Sequence, residues 1–274
     1  MVGTAETRSS VRRQVGELAA YRELILNLTQ RDLKLKYKGS VLGVAWSLLN
    51  PLLQMAIYTL IFSVFLRIVV VPNYWAFIIG GILVWTFFST SLLTASVAFV
   101  RNPGLISRVY FPIEVLPISN VLANFVNFLI PLAILLVVLP IGGIHLGLSL
   151  VLLPVVCLAL LATAIGLGLV AASVTVFLRD IEHFLQLGIQ IFFYATPILY
   201  PLDAGSLPQG ASRFIQILRL NPLAWYMDSY HNILYFGTWP SPREFTAMIV
   251  FSVVCLVGGY SIFAKVRPRI PETL

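Results

Sequence analysis

The chain has 274 residues, of which 59% are hydrophobic and 11% charged, where a soluble domain carries roughly 45–50% and about 25%. A mean hydropathy of +0.92 excludes an ordinary soluble enzyme or a disordered regulator and leaves a polytopic membrane protein. The net charge of +7 suits contact with anionic lipid, and no aromatic-spaced basic platform or zinc spacing points to nucleic acid.

Residues 1–17 read as a polar, basic cytoplasmic tail with no apolar core at signal-peptide position. Over residues 18–38, Leu18, Tyr21, Leu24, Ile25, Leu28 and Leu35 recur at helical spacing. Arg22, Asn27, Gln30, Arg31, Lys34 and Lys38 fall mostly on other faces, and Asp32 and Lys36 stand at i, i+4 in the supportive order. The pattern predicts a basic amphipathic interface helix along the cytoplasmic membrane surface. Two readings of its polar face are open: a lipid anchor alone, or also a dock for a cytoplasmic partner.

Six apolar runs follow, at about Val41–Leu66, Tyr74–Val97, Val115–Leu139, Leu148–Val176, Ile181–Leu199 and Phe245–Phe263. Each approaches the ~20 residues that cross a ~30 Å hydrocarbon core. Pro51, Pro131 and Pro154 lie within these runs and are expected to kink their helices. Between the second and third runs, the loop 101–112 opens on the turn signal Asn102-Pro103-Gly104, and one or two helical turns over Leu105–Phe111 end at Pro112. Its Leu105, Ile106, Val109, Tyr110 and Phe111 need lipid, the rest of the protein or a partner groove.

Residues 201–238 are too polar for a span and too apolar for a free loop. After Asn221-Pro222, the residues Leu223, Tyr226, Met227, Tyr230, Ile233 and Leu234 form one apolar stripe, with Asp228, Ser229, Asn232 and Tyr235 off it. Short re-entrant or interfacial helices fit this pattern, as does a surface-lying loop anchored by Trp225 and Trp239. Residues 264–274 form a short tail. Fourteen of the 18 Lys and Arg residues fall in the segments on the same side as both termini, so both termini are expected in the cytoplasm. The fold class is thus an all-α membrane protein: six transmembrane helices, an N-terminal amphipathic interface helix, and short re-entrant helices before the last span.

The chain carries little that could do chemistry. No G-x-x-x-x-G-K-[ST] occurs, and none of Lys34, Lys36, Lys38 and Lys265 follows a glycine, so no phosphate-cradling Walker loop is expected. His145, His183 and His231 are far apart and suggest no metal site. Cys157 and Cys255 lie in apolar runs and read as inert core residues. Glu114, Asp180 and Glu182 fall at cytoplasmic span ends, while Asp203, Asp228 and Glu244 are external. With no acid in mid-span, a proton-coupled transporter is disfavoured. Tyrosine and tryptophan are plentiful, and serve either as interfacial belts or as a surface along which sugars slide.

Several stretches resemble the permease subunits of type-2 ABC exporters, in the polysaccharide branch that moves O-antigen, capsule, teichoic acid or galactan. The basic helix runs into Tyr37, Lys38, Ser40, Leu42, Gly43 and Trp46, followed by Asn50-Pro51. RNPGLISRVYFPIEVLP is similar to that family's cytoplasmic loop, RDIEHFLQLGIQIFFYATPILYP to its fifth span, and LNPLAWYMDSYHNILYFG to its external gate segment. The resemblance implies a homodimer with two cytoplasmic ATPase subunits, which bind ATP and Mg, this chain holding no cofactor. It implies ATPase contacts at Arg31, Lys34, Leu105, Ile106, Arg108 and Tyr110. Trp46, Tyr58, Phe193, Tyr194 and Tyr200 become candidate channel-lining aromatics, and Trp225, Asp228, Tyr230 and Asn232 candidate external-gate residues. The expected cargo is a polyprenyl-diphosphate-linked polysaccharide; Arg31, Lys34, Lys36 and Lys38 would either attract its diphosphate at the cytoplasmic entry or serve as ordinary positive-inside charges. A type-2 exporter of a small substrate (drug, haem, lipid) and a polytopic enzyme acting on a lipid-linked sugar are the rival readings.

Overall fold

The computed structural model describes residues 21–66, 71–108, 111–201 and 218–273, and every regular element among them is a helix. In hydrocarbon each backbone N–H and C=O must find its partner within the segment, which a helix provides. Several hydroxyl side chains inside the spans follow the same rule. Ser89, Thr163, Ser173 and Ser252 donate to the carbonyls of Trp85, Ala159, Leu169 and Met248, one turn back.

Helix α1 spans Arg22–Tyr37. Gly39 and Gly43, both at positive φ, turn the chain from it into α2, Trp46–Thr59, which continues through a π-helical turn at Leu60–Phe65. Then come α3 (Tyr74–Ser96), the short α4 (Pro103–Arg108) and α5 (Val115–Ile141). A 3₁₀ turn, Leu148–Leu152, leads into α6 (Leu153–Phe177). α7 covers Ile181–Tyr194, and α8 covers Pro222–His231 with a π-helical turn at Asn232–Phe236. α9 (Pro242–Val266) and the terminal turn α10 (Ile270–Thr273) close the chain.

Among the described residues, five helices are long and apolar enough to cross a membrane: Gly43–Phe65, Tyr74–Ser96, Val115–Ile141, Leu148–Phe177 and Pro242–Thr273. These agree with the expected runs to within a few residues, apart from the last, which extends further at its C-terminal end. The count of six is approximate, because the expected run Ile181–Leu199 is helical only to Tyr194, 14 residues, or about 21 Å. Pro197 stops it, since it offers no N–H and drives Thr196 out of the helical region. The non-helical remainder is covered by protein, with Ile198 and Leu199 buried. Pro154 also departs from expectation. It sits in the first turn of α6, where no N–H partner is lost, whereas Pro51 and Pro131 do lie inside α2 and α5.

α3 is the hub, with 72% of its apolar window buried against 6% for α2, which lies at the edge of the chain. α6 and α9 pack most closely of all. A Cβ on Gly166 would stand 2.1 Å from the Cys255 carbonyl oxygen, and one on Gly259 2.2 Å from the Gly166 oxygen. Glycine lets these two backbones touch, as small residues do generally between helices in lipid.

Candidate functional site

At the cytoplasmic end, α1 and α4 rest on one apolar cluster. Leu28 of α1 is buried there with Phe99, Phe111, Val115, Leu116, Phe263 and Ile270, and Leu24, Ile25, Leu105 and Ile106 pack against it half-buried. The apolar side of the 101–112 loop is therefore met in part by the protein itself. Leu35, expected on the same stripe of α1, is instead 58% exposed. Val109 and Tyr110 lie outside the described residues, as do Leu18, Arg67, Asp203 and Arg213. Arg108 ends α4 in backbone only.

Two ion pairs tie this end together. Arg267 Nη1 lies 3.1 Å from Glu114 Oε1, whose side chain is 2% exposed, and so joins the end of α9 to the start of α5. Arg101 approaches Glu182 at 4.0 Å on the open surface, where such pairs contribute little.

On α1 the charges are sorted. Asp32 accepts from the adjacent Arg31 at 2.9 Å, so the expected i, i+4 partnership with Lys36 does not form. Lys34 and Lys38 face an open recess shared with Asn27 and Gln30. Lys36, exposed as a residue, brings its ammonium 3.4 Å from Asn124 Oδ1 on α5. Removal from water there lowers its pKa below the ordinary lysine value. Tyr37 donates to Asn127 Oδ1, and Asn124 donates to Thr94 Oγ1 at 2.8 Å. Sequence reading passed over this polar seam. Its signal was present nonetheless: Asn120, Asn124 and Asn127 recur at i, i+4, i+7 in one span, and Thr86, Thr90 and Thr94 at i, i+4, i+8 in another. Polar stripes of this kind in apolar helices face protein rather than lipid.

The channel candidates divide. Tyr58 on α2 stacks on Phe193 on α7 at 5.8 Å, and Phe193 meets Tyr194 edge-on at 5.2 Å. Tyr200 donates to the Tyr194 carbonyl at 3.0 Å. These four form one aromatic group, in which Phe193 is buried against Trp85 of α3 and Tyr194 stays exposed. Trp46 stands apart at the opposite end of α2, partly exposed.

The external segment is anchored from two sides. Asn221 caps α8 by accepting from Leu223 N at 2.9 Å, and its amide donates to Ala195 O and Thr196 Oγ1. The stripe Leu223, Tyr226, Met227, Tyr230, Ile233 and Leu234 is buried throughout. Tyr226 hydrogen-bonds with Thr163 of α6 and Ser252 of α9, and Tyr230 with Cys157 of α6. Tyr230 is thus an anchor of the segment inside the protomer, and Ser229, expected off the stripe, is also buried. Trp225, Asp228 and Asn232 are only half-buried, with Asn232 donating to Asp228 Oδ2 at 2.8 Å.

The family described as ABC-2 type transporter matches the chain over residues 23–235. An "O-antigen export system permease protein RfbA" of Myxococcus xanthus is 38% identical over 96% of this chain and 99% of its own length. Two proteins of the same description from Klebsiella pneumoniae are 35% and 32% identical, each over 92% of this chain and 95% of its own length.

Proposed function

We infer the function from one premise: the chain belongs to the ABC-2 type transporter family. It is a multi-pass membrane protein and the permease part of an ABC exporter, not an ATPase. Its relatives are named for O-antigen export, and we carry that cargo class to this chain. It moves a polyprenyl-diphosphate-linked polysaccharide from the cytoplasm across the bacterial inner membrane, with both termini cytoplasmic. The geometric observation that carries this reading is the pairing of α2, almost wholly uncovered, with an aromatic group shared between α2 and α7. A second copy of the chain covers these faces, and the aromatics of both copies then line a path along which sugar rings slide.

Two copies of a separate cytoplasmic ATPase, which bind ATP and Mg, supply the energy. They dock on the polar face of α1 at Arg31 and Lys34 and on the loop through Leu105, Ile106, Arg108 and Tyr110. Because α1 and α4 share one apolar cluster with the end of α9, displacement of either moves both. ATP binds the partner alone, so coupling requires two permease states with different contacts to it. The segment 223–236 narrows the exit, with Trp225, Asp228 and Asn232 outward and Tyr230 holding it to the core.

Reconstitution of the chain with its ATPase and a panel of lipid-linked glycans tests the function. Polyprenyl-diphosphate-linked polysaccharide should stimulate ATP hydrolysis several-fold and appear in the vesicle lumen. Stimulation only by small drugs or haem would replace this reading with the small-substrate one.

Single cysteines in a chain free of Cys157 and Cys255 test topology and gate together. Position 105 should label from the cytoplasmic side and position 145 from outside. Positions 228 and 232 should react slowly at rest and faster during export. External labelling at 105 would end the topology, and rapid, state-independent labelling at 228 and 232 would end the gate.

A further inference from the structure

Four basic residues of α1 and its C-terminal end approach the cytoplasmic mouth, and their side chains have different surroundings. Arg31 is engaged by Asp32, and Lys34 and Lys38 border an open recess. Lys36, though exposed as a residue, brings its ammonium to Asn124 of α5. We propose that Lys36, with Asn124, Asn127 and Tyr37, forms a recognition site for a lipid-borne phosphate group, which during transport is the diphosphate of the cargo. The second half of this proposal rests on the export reading above.

Charge balance is the first argument. Among the described residues no carboxylate pairs with Lys36, and its recorded partner is the neutral Asn124 oxygen at 3.4 Å. An ammonium has three N–H donors, so this long bond leaves two of them to water or to a ligand, the residue as a whole being exposed. Partial loss of water at the Asn124 contact lowers the Lys36 pKa. An anion replaces that lost hydration through charge-assisted hydrogen bonds.

Donor geometry is the second. The Asn127 oxygen is occupied by the Tyr37 hydroxyl, which leaves its amide N–H groups to donate. A small cavity lies here, about 30 Å³, with Lys36, Ser47, Thr86, Thr90, Asn124 and Asn127 on its polar side and Pro51, Leu83, Phe87, Phe128 and Pro131 on its apolar side. It admits one or two oxygen atoms of a phosphate, whose ester side remains outside, or in its absence water.

The rim is the third. Next to Lys36 and Tyr37 in the chain, Leu35, Val41, Leu42 and Val44 are 58%, 100%, 46% and 45% exposed. Such an apolar border suits a phosphate delivered on an alkyl chain and opposes one delivered from water.

The test measures binding of undecaprenyl diphosphate to the full chain in zwitterionic nanodiscs, alongside undecaprenol, phosphatidylglycerol and inorganic pyrophosphate. The wild type should prefer undecaprenyl diphosphate to undecaprenol at least tenfold. Lys36→Met should erase that preference and Lys36→Arg should keep most of it, while Lys38→Met and Lys265→Met change it less than twofold. Asn124→Asp, which retains Lys36 but hands it an internal carboxylate, should also erase the preference while raising the thermal midpoint, so a loss there cannot be misfolding. Wild-type binding in Lys36→Met, or equal losses in all three lysine variants, would overturn the site. Equally tight inorganic pyrophosphate would overturn its lipid-borne character, and equally tight phosphatidylglycerol its assignment to the cargo. If binding behaves as expected but no glycan is exported by the wild type, the export reading fails and the phosphate site stands. If Lys36→Met exports at the wild-type rate, the cargo assignment fails and the export reading stands.

Discussion

Alanine at Gly259 should lower the thermal stability of the permease markedly, while alanine at the adjacent Gly258 should leave it intact. Both changes sit in α9, and both gain about 1 kcal/mol of helix propensity. They differ in what the new methyl group meets. At Gly258 there is nothing within 4 Å, whereas at Gly259 it would stand 2.2 Å from the Gly166 carbonyl oxygen, a backbone atom of α6. No rotamer change relieves that overlap, so α6 and α9 must separate along the strip that also holds Cys255. Overpacking of this kind costs about 1–3 kcal/mol, occasionally more, a sizeable part of a stability of roughly 5–15 kcal/mol. Separation would also strain the hydrogen bonds by which Tyr226 links Thr163 to Ser252. Monodispersity in detergent and thermal unfolding of the two variants would check this. A Gly259→Ala protein that melts within a degree or two of wild type would mean that the interhelical contact is not needed.

Loss of coupling is the second large effect expected. Ile106→Asp should reduce cargo-stimulated ATP hydrolysis at least tenfold and deplete the ATPase from the purified complex, with membrane insertion unchanged. The carboxylate would have to be desolvated both against the partner and against the cluster holding Leu28 and Phe263. Since Ile106 packs on its own protein, Lys34→Glu separates docking from loop integrity. Lys34 is exposed, so reversing its charge disturbs a partner surface and leaves the cluster alone. Weaker ATPase recovery with Lys34→Glu at unchanged thermal stability is the expected outcome. If both variants copurify with the ATPase as wild type does, neither element is a docking surface.

Most of the fold was legible in the sequence because hydrocarbon is a uniform and demanding solvent. A run of about 20 apolar residues must be a helix there, and for that reason α2, α3, α5 and α6 lie within a few residues of the runs predicted for them. The buried stripe of α8 was legible for a similar reason: Leu223, Tyr226, Met227, Tyr230, Ile233 and Leu234 share one face, and Asn221-Pro222 is a start signal that residue chemistry alone dictates.

What failed was anything depending on which neighbour a face meets. Tyr230 is a core anchor and Tyr194 an exposed ring, yet both are tyrosines at membrane depth, and periodicity assigns them no direction. Lys36 should have paired with Asp32 by helix rules, but Arg31 lay closer to Asp32, and Asn124, 88 positions along the chain, took the lysine. The shared cluster under α1 and α4 joins residues from Leu28 to Ile270. Solvent period, proline and glycine act locally, so the sequence by itself determined the helices and their class. Which helix faces receive each other, and hence the coupling cluster, the polar seam and the glycine contact of α6 with α9, was decided by packing between segments far apart in the chain, where side-chain shape and unpaired charge select the neighbour.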